Sequence, residues 1–171
     1  MHTHKRITNI GPLISALPPS LLVLDLSGPP VDRGQLCDLT PVASAITLGR
    51  LPNLEALLAP HHAIDNASVA ALAASVKHAP ALLRLDLFQN AFGQKAARGL
   101  VEAVEHRAGM LLLDAEFLDG RRPTMAKHGL ADADAELLSL SLRACRDPAP
   151  LSTLDLGHNE LALQEGGGAL I

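Results

Sequence analysis

Aromatic side chains are nearly absent from this chain. Its 171 residues include no Trp, no Tyr and only three Phe. Because large rings supply much of the buried area in most proteins, a core here has to be built from leucine, alanine and other aliphatic residues. With 48% hydrophobic residues, the chain has enough of them for a substantial core.

Long apolar runs are also missing. No run of about 18 apolar residues could span a bilayer, so no membrane association is expected. The segment 13–26 is interrupted by Ser15, Pro18, Pro19 and Asp25, which is unfavourable for a signal peptide. The only cysteines, Cys37 and Cys145, lie far apart in the sequence. Free thiols in a cytoplasmic protein are therefore expected.

Basic charge is not concentrated in this chain. Its net charge is −4 and its pI is near 6.0. Proteins that bind nucleic acid usually carry clustered lysine and arginine, so a nucleic-acid partner is not expected.

Catalytic and cofactor motifs are missing as well. The sequence has no Gly-x-Ser-x-Gly motif, and the glycines at 166–168 are not followed by the Lys-Ser/Thr of a phosphate-binding loop. The pairs His61–His62 and His2–His4 have no further Cys or His at metal-ligand spacing. We therefore expect a protein that is not an enzyme and has no cofactor and no bound metal.

One leucine pattern dominates what the sequence does contain. The pattern L-x-x-L-x-L-x-x-N-x-F/L begins at Leu82 and again at Leu151, and weaker copies begin at Leu21, Leu54 and Met110. We number these copies 1 to 5 in chain order. The starts of copies 2, 3 and 4 are 28 residues apart, whereas 41 residues separate the starts of copies 4 and 5. The fourth copy therefore carries an insertion.

Each copy predicts a strand followed by a helix. Alternating leucines predict strands at residues 22–26, 56–58, 84–87, 112–114 and 153–156. Apolar residues three or four apart then predict a helix. The predicted helical faces are Val69, Leu72, Ala73 and Val76; Ala96, Leu100, Val101 and Val104; and Leu137, Leu138, Leu142 and Cys145.

The 28-residue period and the predicted helix in the second half of each copy make the chain resemble the ribonuclease-inhibitor class of leucine-rich repeat proteins. The resemblance implies an α/β solenoid, a horseshoe with parallel strands on the concave side and helices on the convex side. It covers residues 13–171 as about five repeats, the last truncated, after an N-terminal tail of residues 1–12. The chain is expected to be part of a longer array.

In three copies the asparagine of the family pattern is replaced by another residue. Pro29, His62 and His128 stand where its side-chain amide would hold the turn. If His128 begins a displaced turn, most of the insertion lies in residues 118–127.

This family binds its partners on the concave surface. The central outward position of the five strands is aspartate in four copies. These residues are Asp25, Leu58, Asp86, Asp114 and Asp155. Like charges on adjacent strands repel, and a basic partner would relieve the repulsion. The alternative is that aspartate is simply common at this position throughout the class.

Phenylalanine suggests a contact point on the same face. Phe88 is predicted to be exposed, with Phe117 close to it in the next copy and with Arg84 and Glu116 as charged neighbours. For Phe117 the alternative is burial beneath the insertion of its own copy.

The insertion holds the only local concentration of basic charge within the array. Arg121 and Arg122 lie in residues 119–127, a segment predicted to project from the rim of the horseshoe. This loop is a second candidate contact, although a merely solvated loop would have the same composition.

Together these features predict a non-catalytic protein-interaction scaffold that binds a protein partner on the concave strand face. One alternative is a GTPase-activating protein of the Ran type, which uses the same repeat class. Another is the recognition segment of a larger effector or immune-sensor protein. Fold analogy cannot choose among these, because function depends on the site.

Overall fold

The computed structural model describes residues 9–27, 38–107, 110, 112, 125–144 and 154–162, and it has a mixed α/β fold. Its sheet has three parallel strands, β1 Val23–Asp25, β2 Ala56–Leu58 and β3 Arg84–Asp86, in the order β1-β2-β3. The central strand pairs in register with both neighbours, so Leu24, Leu57 and Leu85 are adjacent across the sheet.

Five α-helices accompany the sheet in the described part of the chain. They are α1 Gly11–Ala16, α2 Thr40–Thr47, α3 Asn66–Ser75, α4 Gln94–Val104 and α5 Asp132–Ala144, and a 3-10 turn, Val76–His78, extends α3. Each helix packs against the next one in the sequence. None of the described helices is long and apolar enough to cross a membrane.

The core lies between the strands and the helices. Leu85 and Leu87 are 1% and 0% exposed, which confirms the predicted inward direction of the leucine pattern. Because side chains alternate along a strand, a shift of one residue would have exposed both. Leu100 and Val104 of α4 are buried against this layer, as the helical spacing predicts.

The helices begin where local chemistry favours a start. Asp65 caps α3 by accepting the amide hydrogen of Ser68 at 2.9 Å. Proline occupies the first turn of α1 and of α2, where the missing amide hydrogen costs nothing and the fixed φ angle suits a helix.

Strand predictions are confirmed in part. Parallel pairing is confirmed for copies 1 to 3, but β1 and β3 are shorter than the predicted 22–26 and 84–87. No strand is assigned to Leu154, Asp155 and Leu156, so the strand predicted there is wrong over these three residues. Copy 5 is joined to copy 4 near its turn, since Met125 N donates to the carbonyl oxygen of Asp155 and Lys127 N donates to that of Gly157. Of the predicted strand 112–114, only Leu112 lies within the described residues.

Packing also begins earlier than residue 13, where the repeat array is predicted to start. Ile10 is buried in the core and α1 starts at Gly11.

Asparagine side chains join neighbouring copies. Asn90 Oδ1 accepts the amide hydrogens of His62 and Ile64 at 2.9 and 3.0 Å, and its Nδ2 donates to the carbonyl oxygens of Ala59 and Leu87. One side chain thus satisfies four backbone groups in two turns.

The same arrangement recurs at the next asparagine. Asn159 Oδ1 accepts from His128 N and Leu130 N, and its Nδ2 donates to the carbonyl oxygens of Met125 and Leu156. His128 and Leu130 thus take the places in copy 4 that His62 and Ile64 take in copy 2.

Candidate interaction surface

Register across the sheet places two rows of side chains beside each other. One row is Val23, Ala56 and Arg84, and the other is Asp25, Leu58 and Asp86. Exposure is greatest at β1, since Val23 and Asp25 are exposed, whereas Leu58 and Arg84 are half-buried and Ala56 and Asp86 are buried. The β1 side of this face is therefore the accessible side.

The aspartates of the second row have a local structural role. Asp25 accepts the amide hydrogen of Ser27 at 2.8 Å, and Asp86 accepts that of Phe88 at 3.1 Å. In copy 5, Asp155 accepts that of Gly157 at 2.9 Å. In each case the carboxylate holds the backbone two residues ahead, which fixes the chain as it leaves the strand direction.

Copy 2, which lacks the aspartate, also lacks the amide hydrogen that the aspartate would accept. Leu58 stands where the other copies have aspartate, and the residue two positions ahead is Pro60. Proline has no amide hydrogen, so an aspartate here would have no donor to hold. The three described aspartates of this position, Asp25, Asp86 and Asp155, thus each hold a backbone amide of the chain itself.

Electrostatics agree with a structural role for these carboxylates. Hydrogen bonds from Ser27 lower the pKa of Asp25, burial opposes this shift, and the guanidinium of Arg84 makes the smallest contribution in the lowering direction. The chain's own arginine thus offsets part of the negative charge on this face.

Phe88 is buried, with 7% of its surface exposed, so its predicted exposure is wrong. Alternation applies only to extended backbone, and β3 ends at Asp86. The chain turns at Phe88 and Gln89, where Gln89 has a φ of 58°. Because of this turn, the ring packs into the core with Phe92 instead of facing outward.

The turn residue that precedes the asparagine position is left-handed in four copies. His61, Gln89, Lys127 and His158 all have φ between 58 and 63°. None of them is glycine, although glycine adopts this conformation at the lowest cost. The turn is thus imposed by the hydrogen bonds around it.

In copy 2 a histidine replaces the asparagine and still joins the turn to copy 1. Nε2 of His62 contacts the carbonyl oxygen of Leu26, the same position in copy 1 that Ala59 occupies in copy 2. Its ring therefore makes the contact that Asn90 makes one copy later. Among the described residues, no group of three His, Cys, Asp or Glu is arranged to hold a metal ion.

A buried carboxylate joins α5 to the turn of copy 3. Asp134 Oδ1 accepts the amide hydrogen of Gln89 at 2.8 Å, and Oδ2 accepts that of Ala131 at 2.9 Å. Burial raises the pKa of Asp134, although these two hydrogen bonds and the nearby His61 oppose the shift.

No family model and no curated protein matches this chain.

The other predicted site residues are distributed unevenly. Asp155 is exposed, and Arg84 is half-buried on the sheet face. Asp114, Glu116, Phe117, Arg121 and Arg122 lie outside the described residues.

Sequence analysis missed the exposed apolar residues at the beginning of the strands. Leu22, Val23 and Leu83 are each 49% exposed, and the exposed Glu55 lies between the two leucines. A signal was present, because Leu22 and Leu83 directly follow the first leucine of their copies, at a position the pattern leaves open. A leucine where the core requires none indicates an exposed apolar side chain.

Proposed function

We propose that the chain is a non-catalytic interaction scaffold that binds a protein partner on the strand face of a leucine-rich repeat solenoid. The observation that carries this proposal is that the two sides of the sheet differ in burial. Leu24, Leu57 and Leu85 are buried on one side, while Val23 and Asp25 remain accessible on the other. A sheet that is held by packed helices and accessible at β1 offers a pre-formed surface for a partner.

Hydrogen bonds between copies support the solenoid part of the proposal. Asn90 and Asn159 make the same four contacts to successive turns, and each helix packs on its neighbour. Units joined in this way depend mainly on their nearest neighbours for stability. The horseshoe with a concave strand face is the extension of this arrangement that the family resemblance implies.

Rigidity supports a binding role for this surface. A pre-formed site loses little conformational entropy on binding, which favours affinity. Residues 23–25, 56–58 and 84–86 are held by parallel pairing, and Asp25 and Asp86 fix the backbone immediately beyond β1 and β3.

A strand-face variant tests the proposal. The tagged wild-type chain, the variant Val23→Asp and the helix-face control Lys95→Glu are used to capture proteins from a cell lysate, with quantification by mass spectrometry. Val23 and Lys95 are both exposed, so neither change creates a cavity. We expect proteins recovered by the wild type and by Lys95→Glu to be depleted at least about tenfold with Val23→Asp.

Equal recovery with all three proteins would reject the strand face as the binding surface. A parallel assay measures GTP hydrolysis by Ran with and without the wild-type chain. Stimulated hydrolysis would replace the scaffold proposal with the GTPase-activating alternative.

A further inference from the structure

We propose that the partner docks on one small patch at the beginning of the strands, the entry patch, formed by Leu22, Val23, Glu55 and Leu83. This inference rests on the proposed function and specifies its surface and its partner chemistry. The partner presents an apolar side chain next to a lysine or arginine.

The apolar members of the entry patch are unusually accessible. Leu22, Val23 and Leu83 are each 49% exposed, whereas Leu24 and Leu85, which follow them in copies 1 and 3, are buried. Single exposed leucines are normal on protein surfaces, but several close together are typical of an interaction site.

Backbone hydrogen bonds place these residues side by side. Glu55 N donates to the carbonyl oxygen of Leu22 at 2.7 Å, and Leu83 N donates to that of Glu55 at 2.9 Å. Adjacent strands lie about 4.8 Å apart, so Leu22, Glu55 and Leu83, which immediately precede the three strands, form a continuous row. Val23 widens the row on the β1 side.

Two exposed carboxylates lie on or beside the entry patch. Glu55 is exposed between the two leucines, and Asp25 is exposed on the strand that carries Val23. Arg84 is half-buried, and its positive charge acts on Asp25. A carboxylate within an apolar row favours a partner that offers a cation beside an apolar group.

Phage display with a random twelve-residue peptide library tests the inference. The library is selected separately on the wild-type chain and on Glu55→Lys. Enriched peptides are then measured by titration against the wild type, Leu83→Ser and the control Leu48→Ser. Leu48 is 67% exposed at the end of α2 and lies outside the entry patch, so its substitution matches the change in chemistry.

We expect wild-type selection to enrich peptides with an apolar residue beside lysine or arginine. Leu83→Ser should weaken their binding at least about tenfold, whereas Leu48→Ser should leave it within about twofold. Glu55→Lys should instead enrich peptides with an acidic residue beside the apolar one. Thermal melts verify folding, and Leu22→Ser replaces Leu83→Ser if that variant melts early.

Each contrary result has a distinct meaning. Peptides that bind equally to wild type and Leu83→Ser but lose affinity on Leu58→Arg, in β2, would overturn the entry patch and leave the strand-face proposal standing. Acidic peptides selected by the wild type, or dimerisation of the chain through Leu83, would overturn the stated partner chemistry. Failure to enrich any peptide on the wild type would count against both proposals.

Discussion

Asp134 and Gln89 lie 45 residues apart in the sequence and are joined by a 2.8 Å hydrogen bond from the Gln89 amide to the Asp134 carboxylate. This bond connects the first turn of α5 to the turn of copy 3. It therefore spans the insertion of copy 4 and fixes the position of α5 relative to the sheet. The carboxylate that makes it is buried, which makes the joint sensitive to pH.

The contribution of Asp134 to the free energy of unfolding should decrease as pH rises. Burial raises the folded-state pKa of Asp134 above its ordinary value of 3.8. The folded state thus holds this proton more tightly than the unfolded state does, and the stabilisation is present below the ordinary pKa and lost as pH rises through the raised one. We expect the unfolding free energy of wild type minus that of Asp134→Asn, from urea melts, to fall across this window.

Asp25→Asn provides a control with the opposite sign. Hydrogen bonds from Ser27 lower the pKa of Asp25, so its contribution is present above the ordinary value and lost as pH falls through the lowered one. The difference between wild type and Asp25→Asn should therefore rise with pH. Identical slopes for both variants would contradict the assignment for Asp134.

Substitution at Leu58 and Pro60 should show coupling in a double-mutant cycle. Pro60→Ala restores an amide hydrogen, and Leu58→Asn supplies a neutral side-chain oxygen two residues earlier. Only the double variant can form the bond that Asp25 makes with Ser27. We expect a favourable coupling free energy of about 0.5–1.5 kcal/mol in urea melts.

Leu58→Asp in place of Leu58→Asn in the same cycle separates the effect of the hydrogen bond from the effect of the negative charge. It should show similar coupling to Pro60→Ala but lower absolute stability, because Asp25 and Asp86 lie in register on either side. Additive effects in both cycles would mean that the aspartates do not act through the amide two residues ahead.

Asn90→Ala should be among the more destabilising substitutions at a partly buried polar residue. Its side chain serves two amide hydrogens and two carbonyl oxygens. Their loss should cost about 2–4 kcal/mol in a chemical melt. Asn53, an exposed residue with one bond to Pro19, is the control, and Asn53→Ala should cost less than about 0.5 kcal/mol. Comparable losses at both positions would argue against a special role for Asn90.

Glycine at position 127 should stabilise the protein. Lys127 is exposed and has a φ of 61°, a left-handed conformation that costs a non-glycine residue about 1–2 kcal/mol. Part of this gain is offset by the greater entropy of glycine in the unfolded chain, so Lys127→Gly should raise the unfolding free energy by a few tenths to about 1 kcal/mol. Lys127→Val, which is β-branched, should lower the melting temperature. A lower melting temperature for Lys127→Gly would show that the lysine side chain itself stabilises this turn.

The direction of the leucines is determined by the sequence alone. Period-two alternation leaves only one face for Leu85 and Leu87, and a shift of one residue would expose both. Spacing of three and four residues likewise determines which side of α4 is buried. For the displaced turn of copy 4 the sequence offered His128 only as a possibility, and the hydrogen bonds from His128 N and Leu130 N to Asn159 showed its position.

Only the tertiary structure decided what happens beyond the strands. Phe88 lies two residues after the end of β3, where the backbone turns and alternation no longer predicts direction. The role of the aspartates depends on amide hydrogens two residues ahead, and that of His62 depends on a carbonyl in the preceding copy. Periodicity predicts side-chain direction only while backbone geometry is regular, and turns take their geometry from contacts with distant residues.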